Sequence, residues 1–236
     1  MVKHIIYSQK VLSDNLLIKK LRHAAKIYKQ YVNKDVIIIY GQNRNGPFYQ
    51  YQFHADAKNF QHLAGVKSPN GADWFFAKCL DDEDILKRSD IIPKRDLKTT
   101  SAKINVLPNA VDLRNSKAYK FGKKDLDTLY AEFDIAIGNV NSIMGVGKVK
   151  RNLSVPITVM DKSIYNFCSK CLTIYLIMTK DKKEKKYKNI FYEITTDIIV
   201  KANFDYDILN YIDVSLKQTN IVSEAAVSLA DDIKKS

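Results

Sequence analysis

The sequence predicts an α+β fold, with N-terminal helices packed on a mainly antiparallel sheet and a C-terminal helix closing the chain. Three observations carry this. From Leu16 to Asn33 the apolar residues Leu17, Leu21, Ala24, Tyr28 and Val32 recur at helical spacing. Between Asp35 and Tyr40 lies the β-branched run Val-Ile-Ile-Ile, which reads as a buried strand. The second half of the chain is richer in strand-like runs separated by turn residues.

In chain order, Ser13 or Asp14 can cap the first helix. Lys19, Arg22, Lys26 and Lys29 form a basic stripe on it, by default a solvated face. Gly41 to Gly46 is turn-like and joins the first strand to a second. There Phe48, Gln50, Gln52 and His54 share one face, and Tyr49, Tyr51 and Phe53 the other. The two runs make a hairpin. Ala72–Leu80 and Glu83–Ile91 read as short helices, and Lys94 to Thr100 as a polar connector. Ser101 can cap a helix carrying Ile104, Leu107 and Val111, which Pro108 kinks or splits. Strands are expected at 118–122, 130–138, 145–149, 154–160, 172–179 and 189–195. The charged stretch Lys180–Lys188 reads as a hairpin tip. Val222, Ala225, Ala226, Leu229 and Ile233 keep helical spacing. Residues 1–203 are thus expected as one α+β domain and 204–236 as a helical extension.

The chain has 236 residues, 46% of them apolar, and a formal net charge of +12. Such charge favours a polyanionic partner, with nucleic acid or anionic lipid first. A lysine-rich compositional bias explains it too. No run approaches the roughly 18 apolar residues that span a bilayer, and the N-terminus does not read as a signal peptide. Three cysteines make no disulfide framework, so a cytoplasmic location is expected.

Cys168-Ser-Lys-Cys171 lacks the further ligands of a zinc site and reads as two ordinary thiols. Gly145-Val-Gly147, followed by Lys148, Lys150 and Arg151, lacks P-loop spacing, so its glycines read as turn residues. The basic residues behind them remain phosphate-contact candidates. Asp81, Asp82 and Asp84 read as a helix start. No metal or cofactor is expected. Two of the four histidines, His54 and His62, fall within 49–65, at a strand end and in the following turn. Metal-free RNA cleavage needs a proton acceptor, a proton donor and a cation for the phosphorane. Histidine suits the first two roles. The plainer alternative leaves His54 as a half-exposed strand residue and His62 bonded to a nearby carbonyl.

The pattern Phe53-x6-Phe60-x-His62-Leu63-x-Gly65 resembles a phage- and plasmid-borne family of the barnase–EndoU–colicin–RelE-like nuclease superfamily. The likeness extends, with gaps, over about residues 15–200. It includes Val36–Tyr40, Asp134–Gly138, Leu153–Thr158 and Tyr187–Tyr192. It implies a compact α+β fold and metal-independent RNA cleavage through a 2′,3′-cyclic phosphate, with His62 as general acid or base. This chain has Val-Pro-Ile-Thr where a more polar or basic neighbour of the proline is expected. Arg151, Thr158 and Lys188 are the candidates for the third role.

The expected function is therefore a metal-independent endoribonuclease of toxin or phage-defence type. His62 and His54 are its candidate proton-transfer groups. Lys148, Lys150 and Lys188 would contact RNA, and Tyr51 would stack on a base, or else belong to the core. RNA is the expected partner, with an acidic antitoxin or immunity protein as a second. One competing reading is an inert nucleic-acid-binding protein of a mobile element. Another is an interaction protein for an acidic partner.

Overall fold

The computed structural model describes residues 13–81, 86–114, 119–126, 132–149, 153–195, 198–201, 204–213 and 215–216. The helix expected over 222–233 lies outside them, as do Lys150, Arg151 and most of the acidic run 81–84.

The first helix, α1 (Asp14–Tyr28), buries Leu17, Leu21, Ala24 and Tyr28, the stripe that its spacing dictates. It stops before Asn33, which takes the left-handed φ of 60° that turns the chain into the sheet. Strands β1 (Lys34–Gly41) and β2 (Phe48–Ala55) form the expected hairpin, with Val36 opposite Phe53 and Asp35 opposite His54. The short α2 (Ala57–Ala64) leads through Gly65 into β3 (Val66–Lys67). α3 covers Ala72–Leu80, and β4 (Ile92–Pro93) pairs with β3 in a small separate sheet. Of the helix expected at 83–91, Arg88–Asp90 forms a single 3-10 turn.

Helix α4 (Leu97–Val111) starts earlier than expected, because Asp96 caps it: one carboxylate oxygen accepts the Thr99 N–H at 2.7 Å. Pro108 lies within its last turn without ending it. The remaining strands are β5 (Lys120–Lys123), β6 (Ile135–Gly138), β7 (Ile143–Val149), β8 (Leu153–Met160), β9 (Cys171–Asp181) and β10 (Asn189–Glu193). Gly145 and Gly147 lie inside β7 rather than in turns. The Phe133 ring over Gly145 leaves no room for a Cβ, and at Gly147 a Cβ would press on the tip of the Ile157 side chain.

The main sheet has eight strands, all antiparallel, in the order β2-β1-β9-β5-β6-β7-β8, with β10 also on β9. Its end strands come together, since the Tyr51 hydroxyl donates to Ser154 Oγ at 2.9 Å. Pro156 suits the end strand β8, where a missing N–H costs no ladder bond; a bulge there sets Ile157 out of register.

Both faces of β1 are buried, which explains its unbroken apolar run. Val36 and Ile38 pack with α1 to α4 around Tyr28, Tyr31 and Phe60. Ile37 and Ile39 pack on the opposite face with Tyr187, Phe204, Ile208 and Ile212. Two short helices, α5 (Ile198–Lys201) and α6 (Tyr206–Leu209), belong to that second layer. No described helix is long and apolar enough to cross a membrane. Phe204→Ala should lower the unfolding free energy by about 3–5 kcal/mol in a denaturant titration, the usual cost of emptying a buried phenylalanine site.

Candidate active site

His62 stands in the last turn of α2 and is solvent-exposed. Three residues later Gly65 caps the helix with φ 70°, a left-handed conformation natural to glycine. A Cβ there would also press on the Lys103 stem at 2.8 Å. The Gly65 carbonyl accepts two hydrogen bonds, from the Lys94 N–H at 3.0 Å and from Thr100 Oγ1 at 3.2 Å. One peptide group thus ties the end of α2 to β4 and to the start of α4.

The result is a cleft of about 370 Å³ between α2, α4 and β8, lined among others by His62, Lys94, Arg95, Lys103, Glu132 and Thr158. Lys94 Nζ meets His62 Nδ1 directly. Lys103 Nζ donates to Thr158 Oγ1 at 2.9 Å. Among the described residues, no carboxylate pairs with Lys94, Arg95 or Lys103. Three cations without a paired carboxylate at one concavity favour an anion.

These cations act on the imidazole. Burial, then the Lys94 and Lys103 ammonium groups, hold His62 below the usual 6.5, so the ring is neutral at neutral pH. Lys103 is itself held down by burial, Arg95 and Lys94, against a pull from Glu132. Burial and Lys67 lower Lys94 in the same way.

Of the expected site residues, the cleft brings together His62 and Thr158. His54 lies elsewhere. It is 3% exposed, with Nδ1 at 2.8 Å from Asp35 and Nε2 at 3.2 Å from Asp56. Lys180 completes that network from β9, at 3.1 Å from Asp35. Tyr51 is half-buried between Phe121 and Ser154. Lys148 is exposed on β7, and Lys188 pairs with Glu184 at the β9–β10 hairpin. Neither lines the cleft. Lys150 and Arg151 lie outside the described residues. Burial pushes the Cys168 thiol up to about 12 and raises Cys171, so neither is a ready thiolate.

Lys94, Arg95, Lys103 and Glu132 escaped sequence reading. Thr99 and Lys103 are four apart on α4 and share a face, and Asp96 is a helix cap. That helix start was hidden inside an apparently featureless cationic connector.

A family profile described as phage-Barnase-EndoU-ColicinE5/D-RelE like nuclease4 (PBECR4) matches residues 20–196. The chain belongs to this family. It is accordingly a nuclease of the barnase–EndoU superfamily, and the match spans every cleft residue named above. No curated protein and no solved structure matches it. The two histidines of this nuclease should separate experimentally. His54→Ala leaves Asp35 and Asp56 short of a donor and should cost about 1–3 kcal/mol of stability. By NMR titration, His62 should protonate below 6.5, and Lys103→Met should move it up, because removing a positive neighbour favours the imidazolium.

Proposed function

We propose that this nuclease cuts RNA without a metal, by attack of a ribose 2′-hydroxyl on the adjacent phosphate. The new 2′-O–P bond closes a 2′,3′-cyclic phosphate as the 5′-O–P bond breaks. The observation that carries this reading is an exposed imidazole set among three cations that have no carboxylate partners. His62 serves the proton needed by the departing 5′-oxygen. Glu132, a carboxylate lining the same cleft, takes the proton of the 2′-hydroxyl. Lys103, steadied by Thr158, and Arg95 offset the charge that builds on the phosphorane. A neutral imidazole fits this site better than an imidazolium, which would add a further positive charge.

A toxin or phage-defence role suits the phage-linked family description, and the +12 charge suits an acidic neutralising partner. Purified protein with excess chelator should convert total RNA to fragments ending in cyclic phosphate. His62→Ala should slow this about 10²- to 10⁴-fold. RNA binding by that variant should persist, its log affinity falling linearly with log salt. Loss of cutting in chelator, or wild-type cutting by His62→Ala, would refute the proposal.

A further inference from the structure

An ammonium group carries donors and no acceptor. Lys94 Nζ is hydrogen-bonded to His62 Nδ1, so with the lysine charged Nδ1 must accept. The ring proton then resides on Nε2. Two long exposed side chains could meet by chance, but here both backbones are anchored. Lys94 N–H donates to the carbonyl of Gly65, three residues past His62. The β3–β4 ladder, Val66 opposite Pro93 and Lys67 opposite Ile92, holds the two segments side by side. The charged groups around the pair are Lys67 from β3, Lys103 from α4, Arg95 from the turn before it, and Glu132, with Asp161 and Lys162 just after β8 lining the same cleft.

A neutral imidazole is by itself a weak proton donor, and the cleft keeps His62 neutral. We propose that Lys94 is the positioning residue and proton source of His62: it places the ring proton on Nε2 and replenishes the ring through Nδ1. This rests on the reading that His62 serves the leaving oxygen. In the step, the Nε2–H bond breaks and an O–H bond forms on the departing 5′-oxygen. One Lys94 N–H bond breaks and an Nδ1–H bond forms. The ring stays neutral throughout, the oxyanion becomes a hydroxyl and the ammonium becomes an amine, so charge balances. Water returns the proton to Lys94 afterwards. The lowered ionisation of Lys94, caused by burial and Lys67, makes its proton easier to give.

Two variants test this on the full-length protein. ¹⁵N NMR of the free wild type should show His62 protonated on Nε2 and bare on Nδ1, with the signal assigned by its loss in His62→Ala. Lys94→Met should give a mixture of tautomers and a kcat about 10²-fold lower, with KM little changed. Lys94→Arg should keep the wild-type tautomer, because a guanidinium still donates. Its kcat should be as low as that of Lys94→Met, because a guanidinium does not release its proton. The wild-type rate should also fall at alkaline pH as Lys94 deprotonates, and both variants should lack that limb. An unchanged Nε2–H tautomer in Lys94→Met, or a variant that raises KM alone, would overturn the assignment of Lys94 while leaving His62 in place. Wild-type cutting by His62→Ala would instead remove the underlying reading of His62, and the proton-source role with it.

Discussion

One backbone carbonyl organises the molecule's chemistry. Gly65 ends α2 in a left-handed turn, and its oxygen receives the Lys94 amide and the Thr100 hydroxyl. Those two bonds dock the β4–α4 segment against the end of α2. Together with the β3–β4 ladder, they hold His62 and Lys94, 32 residues apart in sequence, side by side. The Lys103 stem fills the space that a Cβ at position 65 would claim, so glycine serves both the turn and the close approach.

The cleft gathers like charges that a purely structural site would disperse. Burial first, then neighbouring cations, depress the ionisation of two of them: Lys67 acts on Lys94, and Arg95 and Lys94 act on Lys103. The second histidine stands among paired charges instead. His54 lies between two carboxylates, and Lys180 meets Asp35. A concavity that gathers like charges beside an imidazole suits the binding of an anion. A nuclease lineage supplies the anion: a phosphate of a nucleic acid.

Much of the fold was legible because it depends on local periodicity. The stripe Leu17, Leu21, Ala24 and Tyr28 allows a single helical face, and α3 keeps the expected bounds Ala72–Leu80. The β-branched run Val36–Ile39 reads as a buried strand, and the structure buries it on both sides. The start of α4 was less legible, since its cap Asp96 sits among Lys94, Arg95 and Lys98 and gives no apolar signal there. Gly145 and Gly147 were read as turn residues because the sequence does not reveal that Phe133 and Ile157 press on that stretch of β7.

The sequence by itself determined the first helix, the hairpin of β1 and β2, α3, and the presence of two histidines at a strand end and in the segment that follows. Rotamer and backbone preferences act between near neighbours, so those features need no distant information. Tertiary structure alone decided which imidazole meets the cations. His54, at the end of β2, points into carboxylates from β1 and the α2 cap. His62, eight residues on, faces lysines delivered by β4 and α4. In a chain with 38 lysines and arginines, no local pattern marks the two or three that long-range pairing will carry to one ring.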